Sequence, residues 1–200
     1  METISNVNSI AIAAGCMAFN PLFWNIVARN EYRNRTISNI LGSKLGNYLL
    51  AATIFSLGLF RDSLFYDAVS LNGKSRFLSG FTFLPFVGEC VSLIGLLFVG
   101  SSMYKLGIHG TYLGDYFGIF MKERVTSFPF NVLENPMYVG SVLIHLGYSL
   151  RTSSLVGLGL TLWIHLMYQV ALRFEGPFTD YIFAQKANSK KPIKKSNKSN

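Results

Sequence analysis

The chain has 200 residues, of which 50% are hydrophobic and 14% charged, with a mean hydropathy of +0.33 and a net charge of +8. Such a composition excludes intrinsic disorder, which needs low hydrophobicity and high charge, and it lies far from a soluble domain, where about a quarter of the residues are charged. An integral membrane protein is the class that remains.

The charge is local. Lys186, Lys190, Lys191, Lys194, Lys195 and Lys198 form a basic tail over 186–200 with no acid in it. The rest of the chain is nearly balanced and gives no support to nucleic-acid binding. A basic tail beside a membrane segment reads as cytoplasmic and suits contact with anionic lipid headgroups.

Taken in chain order, residues 7–28 are uncharged and predict a hydrophobic helix. Pro21 should end or kink it, which leaves a re-entrant and a spanning segment both open. A signal peptide is disfavoured because the positively charged leader is missing. Phe19, Phe23 and Trp24 suit an interfacial aromatic belt. The segment 29–44 is a polar, basic loop, 45–62 a helix, and 67–80 a loop marked by Asn72-Gly73. Residues 85–104 predict another helix, apolar apart from Glu89. From Lys105 to Glu134 the chain is charged and glycine-rich. Gly110, Gly114 and Gly118 recur every four residues, so on a helix they would leave one face as bare backbone. SFPFN around Pro129 reads as a turn, and Asn135-Pro136 as a helix start. Residues 136–150 and 154–173 then form a helical hairpin, turning at Arg151 to Ser154. The fold expected is all-α: a polytopic integral membrane helical bundle of four to five hydrophobic helices, with 1–185 as one membrane domain.

Residues with chemistry in them are sparse. Cys16 and Cys90 sit in apolar surroundings and read as buried free thiols. His145 and His165 lie within apolar helices and read as helix contacts, and no metal-ligand spacing exists among the three histidines. Hydrolase, metalloprotease and nucleotide-triphosphatase motifs are absent. Tyrosines, acids and glycines gather in 105–138 and again in 173–181, which makes a binding surface at the membrane face.

Those same segments carry a resemblance. SSMYKLGIHGTYLGDYFG (101–118), RVTSFPFN (124–131), ENPMYVGS (134–141) and RFEGPFT (173–179) resemble the phospholipid methyltransferases. These are small membrane enzymes that methylate phosphatidylethanolamine and its partly methylated forms toward phosphatidylcholine. FNPLFWNIVARNEYR (19–33) and LAATIFSLGLFRD (50–62) extend the match over nearly the whole chain. The length and the FNPLFWN segment look closest to the fungal enzymes of the last two methylation steps.

The resemblance implies S-adenosylmethionine as methyl donor, a phospholipid acceptor, and the endoplasmic reticulum membrane, with a mitochondrial membrane as a further site. It also implies donor-binding residues. The family's GxG window falls on Leu93, Ile94 and Gly95, so its first glycine is missing; its Glu-Glu pair falls on Glu175 and Gly176, so its second acid is missing. NPMYVG resembles the HPxYxG element of the isoprenylcysteine carboxyl methyltransferases, with Asn135 in place of the histidine and Tyr138 and Gly140 matching. Glu175 suits the donor's ammonium group, and Asn135, Tyr138 or Tyr112 its polar edges. The acceptor amine must lose a proton, and His109, Asp115 or Glu89 could take it. Tyr112, Tyr116 and Phe117 offer ring faces to a methylated ammonium. Two rivals stay open: an isoprenylcysteine carboxyl methyltransferase-like enzyme and an inactive relative.

Overall fold

In the computed structural model, residues 2–121 and 125–189 are described, with side chains from residue 6 to 121 and 125 to 186. Lys122, Glu123, Arg124 and the tail from Lys190 onward lie outside the described residues. Seven α-helices follow in order: α1 (Glu2–Asn34), α2 (Ser38–Leu41), α3 (Ser43–Asn72), α4 (Arg76–Ser79), α5 (Leu84–Thr111), α6 (Pro136–Arg151) and α7 (Leu155–Ser189). A 3-10 turn, Gly114–Phe117, follows α5. No strand occurs among the described residues. Four helices, α1, α3, α5 and α7, are long and apolar enough to cross a membrane, and their outward faces carry large apolar side chains such as Leu22, Phe55, Leu97 and Leu162. The protein is a helical membrane protein.

Several helices run further than their sequence signals. α1 continues through Pro21 without a break, so a re-entrant 7–28 segment gives way to one helix of 33 residues. α7 likewise passes through Gly176-Pro177 and ends at Ser189, inside what reads as tail. Pro21 is buried among neighbouring helices, where the backbone has no better partner than the next turn, whereas Pro177 is exposed. α3 reaches Asn72, leaving only 73–75 of the expected loop before α4.

The glycine series behaves differently. Gly107 sits at φ 60 inside α5, and Leu113 (φ 58) and Gly118 (φ 77) are left-handed. Gly110, Gly114 and Gly118 therefore fall on a helix, a 3-10 turn and a loop, and no continuous bare face forms. The turn around Pro129 is present, α6 opens on Pro136 in its first turn, and the chain reverses tightly at Ser153 (φ 53). Ser154 Oγ caps α7 by accepting from Gly157 N–H at 3.1 Å. Cys90 faces outward, while Cys16 is half-buried.

α5 and α6 form the closest pair in the bundle. Gly95 faces Gly140 and Gly88 faces Gly147, each pair seven residues along its helix. A Cβ on Gly95 would lie 2.6 Å from the Gly140 carbonyl, and one on Gly140 2.7 Å from the Gly95 carbonyl. Small residues thus bring two backbones into contact, the usual route to close packing in a bilayer.

Two contacts fix the ends. Ser75 N–H donates to Ser153 O at 2.8 Å, joining the α3–α4 and α6–α7 turns at one end. Asn47 Nδ2 donates to Tyr112 O at 2.6 Å at the other. Toward the first end lies an apolar cluster of Met17, Phe65, Val69 and Ile164; toward the second lies one of Ala28, Leu50, Phe117 and Ile182. Between these clusters, α1, α3 and α7 carry the buried polar residues Asn20, Arg61 and Tyr168.

Candidate functional site

That intermediate stretch encloses a cavity of about 360 Å³, within the usual range of small-molecule sites, roughly 300–1,000 Å³. Asn20 and Trp24 of α1, Arg61 and Asp62 of α3, Ser141 of α6 and Tyr168 and Glu175 of α7 contribute its polar wall. Glu134, Asn135 and Tyr138 enter from the start of α6, and Gly110 to Leu113 from the end of α5. Apolar side chains such as Ile54, Leu59, Met103 and Ile144 complete the wall.

The polar groups fall into two sets. In the first, the Tyr138 hydroxyl donates to Glu175 Oε2 at 2.7 Å and the Trp24 indole N–H donates to the same oxygen at 3.4 Å. Oε1 has no partner among the described residues. One carboxylate oxygen is therefore held in place and the other is left for a ligand. Arg29 lies behind this set, donating to the Phe174 carbonyl and stacking 4.5 Å from the Phe178 ring centroid.

The second set is deeper. Arg61 donates to Asp62 Oδ1 from Nε at 2.9 Å and from Nη2 at 2.7 Å, and from Nη1 to the Tyr168 hydroxyl. Ser141 Oγ lies 3.1 Å from that hydroxyl. His145 brings Nε2 to 3.2 Å from Asp62 Oδ1, while its Nδ1 is 2.8 Å from the Ser141 carbonyl. A charged arginine inside a membrane bundle is costly unless it is paired, and here Asp62 and Tyr168 pair it directly.

The residues singled out by the sequence separate accordingly. Glu175, Tyr138 and Asn135 line the cavity together. Leu93 and Ile94 face outward, and Gly95 is occupied by the α6 backbone. Gly176 faces open space. His109 points Nδ1 at Asn47 Oδ1 (2.6 Å) with Tyr48 packed beside its ring, and neither it nor Asp115 lines the cavity. Tyr112 lines it, whereas Tyr116 and Phe117 are buried in the second apolar cluster. Glu89 is exposed near the start of α5, 3.4 Å from Arg151 Nη1. His145 is the helix contact expected of it, although a polar one.

Sequence reasoning passed over Arg61, Asp62, Trp24, Asn20, Ser141 and Tyr168 as wall residues. One signal was available: Arg61-Asp62 is an adjacent opposite-charge pair closing an apolar run. It reads as the end of a membrane helix, and only the continuation of α3 to Asn72 turns it into an interior pair.

Comparison with known proteins agrees with this architecture. The phospholipid methyltransferase family profile matches residues 84–186. The chain is 48% identical over 181 residues to phosphatidyl-N-methylethanolamine N-methyltransferase of Saccharomyces cerevisiae, covering 90% of this chain and 87% of that protein. It is 47% identical over 180 residues to phosphatidylethanolamine N-methyltransferase of Rattus norvegicus, covering 90% of each, and 42% identical over 188 residues to the enzyme of the same name from Homo sapiens, again covering 90% of each. No solved structure matches. A cavity walled by five helices, four of them able to cross a membrane, a profile match over α5 to α7, and identity along nearly the full length of these relatives together place the chain in the phospholipid methyltransferase family.

Proposed function

We propose that this chain transfers methyl groups from S-adenosylmethionine to the amine of ethanolamine phospholipids, acting on mono- and dimethylated phosphatidylethanolamine to give phosphatidylcholine. The names of its relatives support the reaction. The observation that carries it to this molecule is the Glu175 carboxylate, positioned by Tyr138 and Trp24 with one oxygen unpaired in the cavity.

The wall fits the donor. An amino-acid ammonium needs a fixed acceptor, which Glu175 Oε1 supplies, and a charge-assisted bond of this kind is among the stronger polar contacts. Asn135 and Tyr138 hold the donor's polar edges, and Tyr112 lies along the same wall. When bound, the donor supplies an electrophilic methyl on a sulfonium. The protein's own part is mostly approximation of the two reactants and exclusion of water. The ring faces of Trp24, Tyr138 and Tyr168 favour the cationic headgroup as methyls accumulate on it. Gly95 serves the α5–α6 packing, while Leu93, Ile94 and Gly176 face away from the cavity.

In this reading residues 1–185 are one membrane methyltransferase unit. The basic segment from 186 lies on the cytoplasmic side, as the positive-inside rule expects of lysines beside a membrane helix. The protein resides in the endoplasmic reticulum membrane, with a mitochondrial membrane as a further site. The test is methyl transfer from labelled donor by purified protein in lipid micelles, with phosphatidylethanolamine, its monomethyl form, its dimethyl form and a farnesyl-cysteine acceptor supplied separately. Label in the monomethyl and dimethyl phospholipids supports the proposal. Label only in farnesyl-cysteine, or none in folded protein that still binds the donor, overturns it.

A further inference from the structure

The deeper set of the cavity contains a contact with a proton missing. His145 Nδ1 lies 2.8 Å from the Ser141 carbonyl. A carbonyl only accepts, so Nδ1 carries the ring's hydrogen in the neutral imidazole. Nε2 is then a bare acceptor, and it is buried with no donor to accept from. It faces Asp62 Oδ1 at 3.2 Å, and that oxygen is an acceptor already holding two bonds from Arg61. Two lone pairs at this distance repel. One proton placed between them turns the contact into a charge-assisted hydrogen bond.

The surroundings favour a proton at this point and nowhere nearby. Arg61 places two N–H groups on Asp62 Oδ1 and a third on the Tyr168 hydroxyl, which Ser141 Oγ meets in turn. The neighbouring titratable groups are Cys16 on α1, Tyr66 on α3, Tyr148 on α6 and Tyr168 on α7. Among all of these only an imidazole changes charge near neutral pH. Asp62 Oδ2 has no partner among the described residues, and Asp62 lines the cavity. The pair is therefore buried at His145 and open at Asp62.

We propose that the Asp62–His145 pair is the proton acceptor for the acceptor amine, an assignment that rests on the methyl transfer proposed above. The ammonium N–H bond breaks and its electron pair stays on nitrogen. The proton enters at the Asp62 carboxylate and comes to rest on His145 Nε2, donating to Oδ1. The freed pair on nitrogen forms the new N–C bond while the S–C bond breaks and its electrons pass to sulfur. Charge balances: one ammonium and one sulfonium become one more-methylated ammonium and one imidazolium, and the imidazolium later returns its proton to water.

Two measurements test this. The first uses the full chain with ¹⁵N-labelled histidine in lipid micelles, without donor or phospholipid substrate, the His145 signals being identified by their loss in His145→Asn. Across the pH range in which methyl transfer is measured, the ring is expected to carry a hydrogen on Nδ1 and, where the pair has taken up its proton, a second on Nε2. In Asp62→Asn double protonation over that range is lost, because the amide N–H donates to Nε2 instead. A wild-type ring that is never doubly protonated, or one carrying its hydrogen on Nε2, overturns the proposal even if the variants fail to fold. The second compares pH profiles of methyl transfer. Asp62→Asn is expected to lower kcat by about 10²–10⁴-fold, with KM for phospholipid within a few-fold and the profile flattened, in protein that still binds the demethylated donor product. Unchanged kcat and profile in that variant overturn the assignment while leaving the methyltransferase reading intact. A wild-type protein that methylates no aminophospholipid, yet shows the expected histidine titration, overturns the reading and with it the origin of the proton.

Discussion

Tyr138 and Glu175 meet at 2.7 Å across the gap between α6 and α7, two side chains 37 residues apart in the chain. The hydroxyl fixes one carboxylate oxygen and so aims the other. Glu175→Gln is expected to weaken binding of S-adenosylmethionine by about 10- to 100-fold, the worth of a hydrogen bond to a charged group. Tyr138→Phe, which leaves Trp24 as the remaining donor, should cost less, about 3- to 10-fold. Calorimetric titration of purified protein in micelles checks both; equal affinity in Glu175→Gln and wild type would remove the carboxylate from the donor site.

The Gly95–Gly140 contact predicts a steric effect that is independent of chemistry. Gly140→Ala places a Cβ 2.7 Å from a backbone oxygen that cannot move aside. A loss of about 1–3 kcal/mol is expected from overpacking. Gly100→Ala on the same α5 meets nothing within 4 Å and serves as the control. Thermal unfolding in micelles should separate the two; similar melting would mean that α5 and α6 are not in backbone contact.

Glu31 is fully buried, and its carboxylate accepts from Ile37 N–H at 2.7 Å and Ser38 N–H at 3.2 Å. It thereby closes the turn between α1 and α2. Replacing it by Gln keeps the shape and removes the charge, and a loss of about 1–3 kcal/mol follows from weakening those bonds. Since Glu31 is outside the cavity wall, the folded fraction should keep its donor affinity. A fall in melting temperature with an unchanged Kd is the expected pattern, and a changed Kd at constant melting would contradict it.

Gly176 stands in mid-helix with open space around the position of a Cβ. Nothing in its geometry requires glycine, so Gly176→Ala should stabilise α7 by about 0.5–1 kcal/mol. A lower melting temperature in this variant would show that the turn beside Glu175 needs freedom that the folded structure does not display.

Much of this molecule was legible in its residues, and most of the exceptions share a cause. The uncharged runs locate α1, α3, α5, α6 and α7, since a bilayer demands such runs of a spanning helix. Pro21, Pro177 and Arg61-Asp62 each mark an end in water, yet each lies inside a helix here. Prolines stop helices where water competes for the freed carbonyl, and ion pairs sit at helix ends where they can be hydrated; neither condition holds at Pro21 and Arg61, which are buried, while α7 runs on through an exposed Pro177. Of the site, Glu175, Tyr138 and Asn135 came from short motifs that the chain keeps. Asp62 and His145 are 83 residues apart and meet only because side chains of α3 and α6 reach each other inside the bundle, as Phe65 and His145 also do. No spacing rule in one dimension could join them.

The proline inside α7 has one more consequence. Pro177 has no N–H to offer the carbonyl of Arg173, so a backbone bond is missing from the turn that carries Glu175. The Phe174 carbonyl in that turn also receives the guanidinium of Arg29, a residue of another helix. On either side, Ile164 and Ile182 are packed solid. The turn that carries Glu175 is therefore held less by the backbone of α7 than by a side chain of α1, and the position of the carboxylate depends on how those two helices meet.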